Sequence, residues 1–174
     1  MLASVLEEMA YSFIWVLQNE LIFDRDSKKN EGFINLDELD EKVRGRGLII
    51  RGWAPQLLIL SHPSTHGFLS HCGWNSTLEA IGLSVPILAW PIRGDQVYNA
   101  KLVVQHLKIG YLALPSGSVE MVKNDLKNGI EKLMMDEVVH KQVETICAKF
   151  SCGFPNSSRV ALNAFQDFVR QNQI

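Results

Sequence analysis

Positive charge is scarce in this sequence: 17 Lys and Arg stand against 19 Asp and Glu, giving a formal net charge of -2 and a pI near 6.2. A partner of nucleic acid or of an anionic membrane surface needs the opposite balance, so neither is expected. Cysteine is scarce as well. Cys72, Cys147 and Cys152 are odd in number and unevenly spaced, which excludes a disulfide framework and suits a reducing compartment. No apolar stretch approaches the length of a membrane span. The opening MLASVLEEMAYSFIWVL has acidic residues ahead of its apolar run and no basic segment, so it makes a poor signal peptide. These absences lead to the expectation of a cytoplasmic chain without a membrane span.

What is present is material for a core. A hydrophobic content of 47% in 174 residues supports one domain and is short for two of ordinary size, so a single domain over 1–174 is expected. Val5, Leu6 and Met9 stand at helical spacing, and the run from Tyr11 to Leu17 suits a buried strand. From Asp24 to Arg46 charges of both signs are densely mixed. That pattern predicts a solvated connection with a short helix around Leu36 to Val43. From Gly47 onward GLII, GFLS, PILAW and GYLAL alternate with segments of helical character. This alternation predicts an α/β fold with a parallel sheet and crossover helices. After Pro115 the strand candidates stop. Val122, Leu126, Ile130 and Leu133 line one helix face. A second helix is expected over Glu137 to Phe150 and a last one from about Ser158 to Arg170, after a break at Gly153 and Pro155. The C-terminal helices thus occupy about 119–171.

In open parallel sheets ligands bind in the loops leaving the carboxyl ends of strands. The loops after GFLS and PILAW, HCGWNS and PIRGDQ, lie where rare residues are densest: three of four Trp, three of five His and four of six Pro fall between Trp53 and Pro91. Between Arg51 and Asp95 the only charged residues are Arg51, Glu79, Arg93 and Asp95, so an anion held here depends mainly on dipoles and neutral donors. The loop from His71 to Ser76 supplies them. It follows a strand, turns at Gly73 and enters a helix at Asn75 or Ser76, leaving backbone N–H groups aimed outward. Asn75, Ser76 and His71 add side-chain donors, and Gly73 permits close approach.

The same residues have plainer readings. Ser76-Thr77-Leu78-Glu79 fits a capping box that satisfies the helix start with no ligand. His62, His66, His71 and Cys72 cluster in sequence, but their spacing matches no common zinc pattern, and no metal is expected. Indoles usually fill cores. Core packing is the preferred reading for Trp90, whereas Trp53 ends a strand where it can stack on a flat base, and Trp74 lies inside the polar loop.

WAPQLLILSHPSTHGFLSHCGWNSTLEAIGLSVPILAWPIRGDQ, the 44 residues from Trp53 to Gln96, resembles the whole signature of plant UDP-dependent secondary-product glycosyltransferases without a gap. Weaker similarity runs from YSFIWV through VRGRGLIIRG to GFPNSSRVALNAF, so nearly the entire chain is covered. No dinucleotide fingerprint competes with it. The resemblance implies the C-terminal half of a GT-B fold, with a Rossmann-like parallel sheet and flanking helices, lacking its first strand. It implies that Trp53 stacks on uracil while the Ala54 backbone and Gln56 hold the base and its surroundings. His71, Gly73, Asn75 and Ser76 then bind the diphosphate, and Glu79 accepts the ribose hydroxyls. Trp74, Asp95 and Gln96 contact the hexose, and Gln96 is the residue associated with glucose, which makes UDP-glucose the expected donor. Gly94 falls where the family's loop approaches the acceptor. No cofactor or metal is implied.

In the family the catalytic His and the pocket for a small hydroxylated acceptor lie in an N-terminal domain that this chain does not resemble. No residue here is assigned the catalytic role, and His106 and His140 read as surface residues. The expected reaction, in company with that missing domain, is glucosyl transfer with inversion. The alternatives are a truncated relic that binds UDP-sugar without turnover and an interaction module using the fold as scaffold. Loss of the first strand is expected to leave an exposed edge and a poorly stable, self-associating chain. Two positions depart from the usual signature. His66 and Ser84 stand where Gly is common, which raises the question of whether those loops keep the family backbone.

Overall fold

The computed structural model describes residues 1–17, 36–113, 117–151 and 156–171. The break expected at Gly153 and Pro155, and Cys152 beside it, lie outside them. The described elements run α1 (Leu2–Glu8), β1 (Phe13–Leu17), α2 (Leu36–Lys42), β2 (Gly47–Arg51), α3 (Gln56–Leu60), β3 (Phe68–Ser70), α4 (Trp74–Gly82), β4 (Ile87–Ala89) and α5 (Gln96–Lys101). A π-helical stretch (Leu102–Leu107) follows, then β5 (Gly110–Leu112), α6 (Val119–Met135), α7 (Glu137–Ser151) and α8 (Asn156–Gln171). Every strand and helix that the hydrophobic patterns predict is present near its expected bounds. The π-helical stretch is an addition.

All strand pairs are parallel, as crossover helices require. They form two ladders, β1-β2 and β3-β4-β5, where a single sheet is expected from sequence. Phe13 pairs with Gly47 and Leu17 with Arg51 in the first ladder. In the second, Ile87 of β4 stands between Phe68 and Gly110. Among the described residues no hydrogen-bonded pair joins β1 or β2 to β3, so both ladders end in unpaired edges.

The central strand shows why helices cover both faces of the second ladder. Side chains alternate across a strand, so Ile87 and Ala89 enter one core with Ala80 and Ile81 of α4, Ala100, Val103, and Val143 and Ile146 of α7. Leu88 enters the other, with Val5 and Met9 beside α6 residues Val122, Leu126 and Leu133. The apolar face read on α6 is thus the buried one. Trp90 packs against this second core, as its preferred reading requires.

Among the described residues the first ladder is covered on one face. Ala3, Leu39 and Val43 pack with Phe13, Trp15 and Ile49, while Ile14, Val16 and Leu48 are exposed. The Arg46 guanidinium ties this unit together by donating to the carbonyls of Leu6 and Glu7 at 2.7 and 2.6 Å, the last orphan acceptors of α1. His106 is exposed, in agreement with its surface reading. His140 is not a plain surface residue: it is half-buried, and its Nε2 lies 2.9 Å from the Leu133 carbonyl. The turn between α6 and α7 folds back and brings the ring to that helix end, a relation no local spacing reveals.

Candidate functional site

The loops that follow β2, β3 and β4, together with the helices α3, α4 and α5 that they lead into, carry every site residue singled out from sequence. β2 is followed by Gly52, whose φ of 108° is accessible to glycine and rarely to other residues. The chain turns there and leaves Trp53 85% exposed. An indole so placed contributes little to a core. Half-buried Ala54 and exposed Pro55 lead into α3, whose first residue is Gln56.

The Gln56 carboxamide nitrogen donates to the Glu79 carboxylate at 2.6 Å and to the Ser76 hydroxyl at 3.1 Å. These bonds join α3 to α4 and assemble three signature residues from two separate segments. They also correct the plainer reading of Ser76 and Glu79. Helix α4 begins at Trp74 with Gly73 as its N-cap and no side-chain cap, so Ser76 stands in the third helical position. Ser76 therefore is not a cap, and Glu79 faces α3 instead of reaching back to the helix start.

The start of α4 is consequently open. Its first intrahelical bond runs from the Thr77 N–H to the Gly73 carbonyl at 2.9 Å, which leaves the N–H groups of Trp74, Asn75 and Ser76 without intrahelical acceptors. The helix dipole adds partial positive charge at the same point. Trp74 is 49% exposed and Asn75 and His71 are exposed. The His71 ring lies over Gly73, where an added Cβ would sit 2.5 Å from His71 Nε2. Glycine at 73 thus makes room for the imidazole. Its own φ is -58°, and the turn expected there falls one residue earlier.

That turn is made by Cys72, which adopts φ 62°, a left-handed conformation that costs a non-glycine residue about 1–2 kcal/mol. Three contacts hold it. The thiol is fully buried in the first core, the Cys72 N–H donates to Ser70 Oγ at 3.1 Å, and the Cys72 carbonyl accepts from Asn99 Nδ2 at 2.9 Å. Burial pushes the Cys72 thiol up to about 11, so it remains a protonated packing group at neutral pH.

The third loop is shaped by its own residues. Gln96 Oε1 accepts the N–H groups of Ile92 and Arg93, both at 2.9 Å, which closes the loop and leaves the Gln96 NH2 outside these two bonds. Gly94 takes φ 62°. Exposed Asp95 accepts from Asn99 Nδ2 at 3.1 Å, so Asn99 joins the third loop to the second. Asn99 is missing from the sequence reading. The available signal is a polar residue at buried spacing with Ala100 and Val103.

The structure therefore brings Gln56, Ser76 and Glu79 into direct contact, sets His71 over Gly73, and links Asp95 to the Cys72 carbonyl through Asn99. Trp53, Trp74 and Asn75 flank these groups in sequence without packing into a core. Arg51, the basic residue at the end of β2, is paired with Asp40 at 3.1 Å. Among the described residues no group of three or more His, Cys, Asp or Glu is arranged to hold a metal ion. A concavity of about 460 Å³ lies instead between β5 and the end of α6, lined by Tyr111, Lys132 and Asp136 among others. It contains none of these residues.

The family model described as UDP-glucoronosyl and UDP-glucosyl transferase matches residues 1–149. UDP-glycosyltransferase 73C3 of Arabidopsis thaliana is 48% identical over 143 residues, which cover 81% of this chain and 27% of that protein. The chain therefore spans about a quarter of the length of such relatives. Among solved structures, UGT73P12 of Glycyrrhiza uralensis complexed with glycyrrhetinic acid 3-O-monoglucuronide superposes with a TM-score of 0.78 at 31% identity, covering 98% of this chain and 37% of that one. UGT2 of Phytolacca americana, complexed with UDP-2-fluoro-glucose and pterostilbene, gives a TM-score of 0.69 at 32% identity, covering 84% of this chain and 32% of that one.

Proposed function

The chain belongs to the UDP-glucoronosyl and UDP-glucosyl transferase family, and from that premise we propose that the loops after β2, β3 and β4 bind a UDP-sugar, with UDP-glucose as the donor. The observation that carries this reading is the uncapped start of α4 beside a Gln56–Ser76–Glu79 network. A helix start with open N–H groups suits a diphosphate. A carboxylate already oriented by a neighbouring amide suits a pair of vicinal hydroxyls.

In this reading the uracil stacks on the exposed face of Trp53, and the Ala54 backbone reads its edge. Gln56 serves as the joint between the base and ribose regions. The diphosphate accepts from the open N–H groups of α4 and from His71, Asn75 and Ser76, so no metal ion is invoked. The hexose lies against Trp74, Asp95 and the free NH2 of Gln96. Because Gln96 spends its oxygen on the loop backbone, only its donor face can meet a sugar hydroxyl, and inversion of that hydroxyl leaves the donor unpaired. Gly94 borders the acceptor.

The reaction supported by this reading is transfer of glucose, with inversion, to a small hydroxylated acceptor. The general base that deprotonates the acceptor is proposed to reside in an N-terminal domain completing a GT-B enzyme.

Calorimetric titration of the chain with UDP, UDP-glucose and UDP-galactose tests the donor reading. Binding of UDP with weaker affinity in the His71→Ala and Glu79→Ala variants is expected, together with a preference for UDP-glucose over UDP-galactose. A chain with a cooperative melting transition that binds no UDP overturns the reading.

A further inference from the structure

Asn99 has no counterpart among the residues already given a role, yet among the described residues it is the one buried polar side chain that touches two of the three site loops. It is 9% exposed, and its Nδ2 lies 2.9 Å from the Cys72 carbonyl and 3.1 Å from Asp95 Oδ2. Both neighbours accept hydrogen bonds and neither donates, so the atom facing them is the NH2 group and the orientation of the amide is fixed by chemistry. The two protons of that group are used once each. One lies on the loop after β3 and the other on the loop after β4.

What these bonds hold explains why their geometry matters. The Cys72 carbonyl belongs to a left-handed residue, and such a residue persists only where its surroundings over-determine it. Rotation of the Cys72–Gly73 peptide would redirect the Gly73 backbone and with it the open N–H groups at the start of α4. On the other side, fixing Asp95 Oδ2 leaves Oδ1 as the oxygen free to meet a ligand. The Asn99 backbone N–H also donates to the Asp95 carbonyl at 3.0 Å, so Asp95 and Asn99 move as one unit. The π-helical stretch begins three residues further on.

We propose that Asn99 is a positioning residue of the donor site, whose single NH2 group sets the diphosphate-binding helix start and the hexose-facing carboxylate of Asp95 in register with each other. The proposal rests on the donor reading of this surface. It adds a residue outside the signature segment and a coupling between its two halves. A sugar nucleotide spans both loops, so an error in their relative position weakens the whole ligand more than either part.

The test compares UDP and UDP-glucose binding to the unsubstituted chain, Asn99→Ala, Asn99→Asp, Asp95→Ala and the Asn99→Ala/Asp95→Ala pair. Loss of one charge-assisted bond and one neutral bond weakens UDP-glucose on the order of tenfold in Asn99→Ala. The paired variant is expected to lose no more than the larger single loss, because the two residues act as one unit. In Asn99→Asp at pH 7.5 the new carboxylate faces two acceptors and binding is weakest. Relative to the unsubstituted chain at each pH, affinity recovers toward pH 5 as that carboxyl regains a proton to donate. A structural role alone lowers the melting temperature without this pH-dependent recovery.

If Asn99→Ala fails to fold, exchange of the Asn99 side-chain amide protons in the unsubstituted chain decides the matter, slowed exchange on UDP binding being expected. Unchanged affinity in Asn99→Ala, strictly additive losses in the paired variant, or unaltered exchange with UDP bound overturns the inference while leaving the donor reading intact. Failure of the unsubstituted chain to bind UDP overturns the donor reading, and this inference with it.

Discussion

Gln56 donates to Glu79 across 2.6 Å from a different helix, and that bond decides between the two roles open to the carboxylate. A capping glutamate reaches back to its own helix start. Glu79 instead faces α3, with one oxygen engaged by Gln56 and the other available. Its structural role is therefore a tether between α3 and α4, and its proposed functional role is acceptance of two ribose hydroxyls. Glu79→Ala is expected to weaken UDP binding about tenfold or more, since hydrogen bonds to charged groups contribute about 1.5–3 kcal/mol each. Gln56→Ala leaves the carboxylate in place but unsteered, and a smaller loss is expected. Calorimetry with parallel melting curves separates the roles: a lower melting temperature with unchanged affinity in Glu79→Ala leaves the tether alone.

Trp53 offers the cleanest separation of binding from folding. With 85% of its surface exposed, its removal forfeits little packing, and Trp53→Ala should change stability by less than about 0.5 kcal/mol. Stacking of a base on an aromatic ring contributes about 1–3 kcal/mol. UDP affinity should therefore fall by about five- to a hundredfold, and Trp53→Phe should restore part of it. A Trp53→Ala chain that binds UDP normally removes the indole from the base site.

The elements legible in the sequence are those whose signal is local. The unbroken apolar run PILAW suits a strand buried on both faces, and Ile87 and Leu88 indeed enter opposite cores. The spacing of Val122, Leu126 and Leu133 marks the inner face of α6. Local pattern favours Ser76 as a cap and a helix entry at Asn75 or Ser76, whereas α4 begins at Trp74. What moves the cap to Gly73 is tertiary: burial of the Cys72 thiol and the hold of Asn99 on its carbonyl force the left-handed turn one residue before the glycine. The break between the two ladders and the π-helical stretch carry no local signal either, and the contact of His140 with the Leu133 carbonyl depends on how the turn between α6 and α7 folds back. The site loops were legible as loops. The links between them were not, because Gln56 and Glu79, or Cys72 and Asn99, stand more than twenty residues apart.

Ser84 and His66 occupy positions where glycine is common in the signature, and the structure separates them. Ser84 takes φ 58° at the residue after the α4 C-cap, where its N–H donates to Ile81 and the Val85 N–H to Ala80 at 2.8 Å. This is a Schellman motif with serine at its left-handed position, a place favoured by glycine. His66 is not among the positive-φ residues. Ser84→Gly is therefore expected to raise stability by about 0.5–1 kcal/mol, the relief of left-handed strain less the added chain entropy. His66→Gly, which relieves no strain, should be neutral or destabilising. Denaturant midpoints of the two variants check this, and a destabilised Ser84→Gly refutes it.

Asp136 and Tyr111 give the fold a dependence on pH at both extremes. Asp136 Oδ1 accepts the Val138 and Val139 N–H groups at 2.9 and 3.2 Å, which caps α7, while its Oδ2 accepts the Tyr111 hydroxyl. The Tyr111 bond first, and then the Val139 N–H, hold the Asp136 carboxyl below its ordinary value of 3.8. The same bond, followed by burial, pushes the Tyr111 hydroxyl from 10.0 up to about 12. A depressed carboxyl stabilises the fold above its unfolded value, and that contribution is lost as pH falls through the still lower folded value. A raised phenol stabilises the fold below 10.0, and its contribution is lost as pH climbs through about 12. The pair should thus contribute fully between about pH 4 and pH 10. Asp136→Asn keeps an oxygen for the cap but carries no charge, so its melting temperature should lie below that of the unsubstituted chain at pH 7 and converge with it as pH falls through the folded-state value, which lies below 3.8. Tyr111→Phe should show the corresponding convergence on the alkaline side. Melting curves that stay parallel across the acid range would remove Asp136 from the acid sensitivity of the fold.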